Sequence, residues 1–230
     1  MALIRPGGGV AQASGSLGGM VFSHNRGGQY VRARSSPVQP GGYYQEKIRG
    51  ALSDASSLWA GLSAGRKLAW NAWAQNNPVS NRLGDMIRLQ GNAAFCEINT
   101  RQLFNTSPTI LDPPVGAAPQ APIYIVGTWD IGAGSTQITY TATPLGASEY
   151  LYIRGALLLS AGQNFVRNRL KFCGLSGAAQ ASPWDYQSVV EARLGALVVG
   201  NKLVLEVQVW DQSTGLVSVP RRIEGTIVTT

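Results

Sequence analysis

Hydrophobic and polar positions alternate, then cycle, then alternate again along this chain. Gly19-Met20-Val21-Phe22-Ser23 and Gln29-Tyr30-Val31-Arg32-Ala33-Arg34 are short alternating runs on either side of His24-Asn25-Arg26-Gly27-Gly28. Two such runs around an Asn/Gly turn predict a β-hairpin, which Pro37 and Pro40 end. Tyr44, Ile48, Leu52, Ala55, Trp59 and Leu62 then fall at helical spacing, with Lys47, Arg49 and Asp54 off that stripe. The spacing predicts an amphipathic helix from Tyr43 to Gly61. Ser63 is placed to N-cap a second helix carrying Leu68, Ala69, Ala72 and Trp73, which Asn76-Asn77-Pro78 stops. A third, from about Asn92 to Leu103, sets Phe95, Ile98 and Gln102 along one side.

Strand patterns return after a stretch from Ser107 to Pro122 that holds five prolines and almost no charge, the composition of a semi-rigid linker. They fall at Ile123–Trp129, Thr136–Thr141, Tyr150–Gly155, Phe165–Phe172, Lys202–Asp211 and Arg222–Thr229, mostly separated by turn residues such as Gly132-Ala133-Gly134-Ser135 and Asp211-Gln212-Ser213-Thr214-Gly215. In Lys202–Asp211, Leu203, Leu205, Val207 and Val209 share one face, the pattern of a half-buried strand. Asp185 to Leu194 reads as a helical insertion in a cross-connection. The expected architecture is α+β: an extended Gly-rich N-terminal arm with a β-hairpin (1–42), a small helical module (43–106), the Pro-rich linker (107–122) and a C-terminal antiparallel β-sandwich (123–230). Short strands at this spacing favour the immunoglobulin or fibronectin type III kind.

Composition sharpens the view of the N-terminal part. Met1 to Gly42 holds ten glycines and little apolar area to offset the cost of ordering them, so the arm is expected to be ordered only where something packs on it. Charge is just as uneven. Through Arg101 eleven bases face four acids, an excess of seven that is the whole net charge of +7; after it eight bases meet eight acids. A basic extension on a neutral, strand-rich domain suits a protein that threads one end into an assembly. Only 13% of residues are charged, about half the usual fraction, which suits a surface packed against neighbours. The N-terminal apolar run is too short for a signal peptide, and Gly200-Asn201-Lys202 breaks the longest candidate for a membrane span, so no membrane association is expected.

Candidate chemistry is sparse, and no catalytic, cofactor or metal site is assigned. His24, the one histidine, falls on the expected turn of an arm that contains no acid to orient it, so it reads as structural or as part of an interface. Cys96 and Cys173 have no second sulfur or imidazole at ligand spacing and read as small buried hydrophobes. Gly7-Gly8-Gly9 and Gly15-Ser16-Leu17-Gly18-Gly19 lack the strand, helix and Gly-Lys-Ser/Thr ending of a phosphate loop. Asp130, Asp185 and Glu191 read as solvated loop acids. The arm is the candidate interface: Phe22, Arg26, Tyr30, Arg32 and Arg34, with guanidiniums and Tyr30 on one face of the second run. These side chains suit carboxylates of a partner protein and, less well, nucleic acid. Trp59, Trp70 and Trp73 read as the core of the helical module.

The run Ser14-Gly15-Ser16-Leu17-Gly18-Gly19-Met20-Val21-Phe22-Ser23-His24-Asn25-Arg26-Gly27-Gly28-Gln29-Tyr30-Val31-Arg32, with Trp59-Ala60-Gly61-Leu62 and Ala69-Trp70-Asn71-Ala72-Trp73-Ala74, resembles an uncharacterised family of bacteriophage and prophage structural proteins. That family combines a Gly-rich N-terminal motif, Trp-bearing helices and a fibronectin type III-like C-terminal domain. The likeness covers Ser14 to about Asn99; beyond it, Tyr186, Arg193, Gly195 and the Val209–Gly215 turn fit loosely. It implies a non-enzymatic part of the phage particle, made in the bacterial host cytoplasm and working as a homo-oligomer among other virion proteins such as the major capsid subunit. A head-associated decoration (cement) protein anchored by its arm is the leading expectation. A neck or tail ring or adaptor subunit, a nucleic-acid-binding protein, and a carbohydrate-binding module using Trp184, Tyr186 or Trp210 are the alternatives.

Overall fold

The computed structural model describes residues 2–3, 7–8, 13–25, 28–35, 41–80, 86–132, 136–141, 145–160, 162–164, Val166 and 168–229. They form a mixed α+β chain in two compact units, Met1–Gln45 and Glu46–Thr230.

The first unit is a four-stranded antiparallel sheet, where the sequence predicts a hairpin on an extended arm. Strands β1 (Ala2–Leu3), β2 (Gly15–Leu17), β3 (Met20–Asn25) and β4 (Gly28–Ala33) lie in the order β1-β4-β3-β2. Leu17 pairs with Met20 across the two-residue turn Gly18-Gly19, and Gly18 sits at φ 55°. A positive φ at the first turn position is what a hairpin turn of the primed kind demands, and glycine adopts it without strain. The β3–β4 ladder is longer than the sequence implies. His24 pairs with Gln29 inside it rather than lying on the turn, and Asn25 pairs with Gly28. Arg26 and Gly27 between them, and Pro37 and Pro40, lie outside the described residues.

Helix α1 (Tyr43–Gly61) spans the division between the units, and the second unit continues with α2 (Ala64–Asn76), a two-stranded ribbon of β5 (Val79–Ser80) and β6 (Met86–Ile87), and α3 (Gly91–Phe104). Ser63 caps α2 from an extended backbone, its Oγ accepting the Arg66 N–H at 3.4 Å. Trp70 is fully buried, with Phe95 edge-on at 5.3 Å and Trp73 at 5.6 Å between ring centroids. The apolar stripe of α1 is only partly used. Ala51, Ala55 and Leu62 are buried, whereas Ile48 and Leu52 each stay 50% exposed.

Seven strands and a short helix follow: β7 (Ile123–Gly127), β8 (Gln137–Thr141), β9 (Glu149–Leu158), β10 (Lys171–Leu175), β11 (Trp184–Asp185), α4 (Gln187–Leu194), β12 (Lys202–Asp211) and β13 (Arg221–Thr226). They make two antiparallel sheets, β11-β8-β7 and β10-β9-β12-β13. Leu203, Leu205, Val207 and Val209 of β12 join Leu151 and Ile153 of β9 in one core with Ile138 and Tyr140 of β8, Tyr186 and Val190. The half-buried pattern expected for β12 is corrected, because its other face is covered as well. Val204 packs with Leu158 and Val166, and Trp210 is buried beside Tyr150, ring centroids 5.4 Å apart. Lys202 on that face is buried too, held by Glu224 at 3.1 Å and Asn164 at 3.1 Å.

The segment expected as a linker does not separate helices from sheets. Residues 107–112 are fastened to the helices: Trp70 Nε1 donates to Leu111 O at 2.9 Å, and Asn99 holds Ile110 through both its N–H and its carbonyl at 2.7 and 3.0 Å. Helix α3 in turn meets the turn after β12 and the aromatic end of β10, where Phe104 lies edge-on to Phe172 at 5.2 Å. The helices and both large sheets therefore share one unit.

Trp129 offers a sharp test of the packing. A Cβ on Gly225 of β13 would lie 2.1 Å from its indole Nε1, and one on Gly127 would lie 2.8 Å from its ring. Gly225→Ala is expected to destabilise the second unit by about 1–3 kcal/mol through overpacking. Urea unfolding followed by tryptophan fluorescence measures it, and adding Trp129→Leu should recover much of the loss.

Candidate interaction surfaces

Strand alternation gives the N-terminal sheet two unlike faces. Residues directly opposite in a ladder share a face, so the register Leu17↔Met20, Met20↔Ala33 and Phe22↔Val31 assembles an apolar side. The pairs Ser16↔Val21, Val21↔Arg32 and Ser23↔Tyr30 assemble the other, and Arg34, whose N–H donates to Gly19 O at 2.8 Å, continues it. The expected interface set is thus divided: Tyr30, Arg32 and Arg34 line up on the basic face, Phe22 belongs to the apolar one, and Arg26 lies outside the described residues. Among the residues of this unit whose side chains are described, none is buried. Residues 1–45 contain no acid, so the arginines have no carboxylate within their own unit.

A second surface lies on the unit that follows. Ile48 and Leu52 of α1 border a groove of about 600 Å³ floored by Cys96, Phe104, Tyr152 and Phe172, with Arg49, Glu97 and Arg101 among its other lining residues. Lys47 Nζ sits 4.9 Å above the Phe104 ring, a cation–π contact at the edge of the same region. Burial pushes the Tyr152 hydroxyl up from its ordinary value, against the pull of Arg101 and Arg154.

The turn that receives α3 is built around Asp211. Its Oδ1 accepts Ser148 Oγ–H at 2.8 Å, the Ser213 N–H at 2.9 Å and Ser213 Oγ–H at 2.8 Å, while Oδ2 accepts Thr214 Oγ1–H at 2.8 Å. Gly215 then turns at φ 70°, and a Cβ there would lie 2.5 Å from Ile98 of α3. This shape presents two carbonyls to the helix: Arg101 Nη1 donates to Gly215 O at 2.8 Å and Gln102 Nε2 to Gln212 O at 2.7 Å. The sequence marks both the turn and the Gln102 side of the helix, but nothing in either pattern pairs them across more than a hundred residues.

The remaining candidates have local roles. Trp59 packs at 5.4 Å from Phe95, beside the buried Trp70 and the partly buried Trp73. Trp184, Tyr186 and Trp210 are all buried, which removes them as sugar-stacking aromatics. Asp185 Oδ1 accepts the Gln187 N–H at 2.9 Å as α4 begins, Glu191 accepts the Leu197 N–H at 3.2 Å, and Asp130 accepts the Gly132 N–H at 2.9 Å. Each carboxylate tightens its own turn. Cys173 is buried, and burial pushes its thiol up to about 11; Cys96 is half-buried beside Asn92. Among the described residues no group of His, Cys, Asp and Glu could hold a metal ion, and no helix is long and apolar enough to cross a membrane. The chain matches no protein-family model, no curated protein and no solved structure.

The Asp211 cluster carries a pH dependence. Partial burial acts to raise the carboxyl, but the donors from Ser213, Ser148 and Thr214 outweigh it and hold the group below its ordinary range. A carboxyl depressed in the folded state stabilises the fold above its unfolded pKa of about 3.9, and that contribution is lost as pH falls through the folded value. Asp211→Asn is expected to lower stability at neutral pH and to flatten the acid side of the stability profile below about pH 4. Urea midpoints measured across that range check both.

Proposed function

We propose that this chain is a non-enzymatic structural protein of a tailed-bacteriophage particle, a head-associated decoration subunit present in many copies and attached through its N-terminal part. The observation that carries the reading is the use made of the resembling run. Ser14 to Arg32 supplies three of the four strands of a sheet in which no described side chain is buried. A patterned sequence that builds no core of its own is explained by contacts to other molecules. The domain expected to project from the particle is the fibronectin type III-like sandwich, and the strand order supports that reading. Lettered in chain order, β7 and β8 are A and B, β9 is C, β11 is E, and β12 and β13 are F and G, so B pairs with E and C with F. That is the Greek-key pairing of immunoglobulin-like sandwiches. The extra strand β10 joins C, and α4 is inserted between E and F.

A second reading, nucleic-acid binding, is favoured by one observation: Tyr30, Arg32 and Arg34 fall on a single face with no acid in the unit. Titration separates the two. Added to phage particles stripped of this protein, the full chain is expected to bind to saturation at a fixed number of copies, and to bind DNA only weakly at physiological salt. Tight DNA binding whose salt slope falls by about one for each of Arg32→Ala and Arg34→Ala would replace the particle-protein reading with the nucleic-acid one.

A further inference from the structure

Among the described residues the N-terminal sheet is a single layer, and a sheet with one apolar face is stable only when that face meets another layer. Leu17 is 73% exposed and Met20 50% exposed, and Phe22 and Val31, opposite each other at the centre, are only half-buried. We propose that this apolar face packs against the same face of a second copy of the chain. The proposal deepens the multi-copy part of the reading above and rests on it for the local concentration at which copies meet.

Three features point to the face and to a second copy. The edges are poor partners: β1 has two residues and β2 three, too few to template an added strand, and the stretches of β3 and β4 beyond those pairings are no longer than three residues. The face carries no formal charge along β2, β3 and β4, where Gly15, Leu17, Met20, Phe22, Val31 and Ala33 alternate with the other side and His24 is the only titratable group. Two copies face to face therefore bury no ion, which a two-fold pairing of one patch with itself requires. The net charge of +7 opposes self-association in general, yet Arg32 and Arg34 lie on the opposite side. With sheets ~10 Å apart and a side-chain layer beyond each, those rows stand roughly 20 Å apart, more than two screening lengths at physiological salt.

The footprint sets the strength. The four strands hold two, three, six and six residues, which at ~4.8 Å spacing and ~3.3 Å rise give roughly 270 Å² per copy, or about 540 Å² in all. Stable interfaces bury at least about 1,200 Å², so the pairing is weak, reversible and concentration-dependent.

Sedimentation velocity of the full chain at physiological salt, from about 1 μM to a few hundred micromolar, reads this directly. The native chain is expected to shift from monomer to dimer over that range. Leu17→Glu, at an exposed strand end where folding tolerates it, and Phe22→Asp at the centre should each remove the shift, while Arg32→Ala with Arg34→Ala should leave it intact. Circular dichroism and hydrogen exchange at Val21 check that Leu17→Glu keeps the sheet. A native chain that stays monomeric at every concentration overturns the proposal, and so does self-association that survives both face substitutions. Binding of the same variants to stripped particles is scored separately, so loss of the pairing with attachment intact refutes only the particle's need for it. A monomeric native chain that still binds particles assigns the face to a different protein.

Discussion

Much of the second unit hangs on a small polar clasp inside it. Asn99 and Gln102, one turn apart on α3, are fully buried, and buried amides are tolerated only where they are hydrogen-bonded. Asn99 meets that demand by gripping Ile110 as a second strand would, accepting its N–H and donating to its carbonyl. Gln102 meets it on one side only: its Nε2 donates to Gln212 O, whose side chain then reaches Ser107 Oγ at 3.0 Å, while its Oε1 has no partner among the described residues. One helix thus fixes both the start of the proline-rich segment and the turn after β12. Take either amide away and a buried carbonyl or N–H is left without its partner, a loss of ~1–3 kcal/mol per group. Apolar packing alone would let α3 slide on the sheet end; the clasp gives it one register.

The two units solve the same problem in opposite ways. In Glu46–Thr230 the long strand β12 finds a layer on both of its faces, and Trp70 sits in a box of aromatic rings. In Met1–Gln45 the alternation is equally regular, yet among the described residues no layer faces it within the unit, and the described side chains stay at least partly in water. Glycine at Gly18 lets β2 turn directly into β3, but it does nothing to cover the sheet.

Local signals made most of the elements legible. The span Tyr43–Gly61, the Ser63 cap and the alternating Lys202–Asp211 run all stand in the structure where the pattern puts them, because period and capping act within a few residues. What the pattern could not carry is non-local. The stripe on α1 predicts burial for Ile48 and Leu52 as firmly as for Ala55, and only the position of α3 and β10 decides that the first two border a groove instead. The clasp was illegible for the same reason, since Gln102 and Gln212 are chemically ordinary until the fold joins them. In the N-terminal unit, residue type and spacing identified Phe22, Tyr30, Arg32 and Arg34, but their division between two faces needed the register.

That division has a further consequence. Because side chains change face at every residue, the apolar set and the basic set cannot be engaged by one flat partner at once, and a contact on either leaves the other free. A slip of β3 against β4 by one residue would exchange the sets and scatter both. The Asn25↔Gly28 pairing holds that register at one end of β3, and the Arg34 N–H donating to Gly19 O holds it at the other. The glycines that make this unit costly to order therefore also give it its two distinct surfaces. One carries Leu17, Met20, Phe22 and Val31; the other carries a row of arginines beside Tyr30.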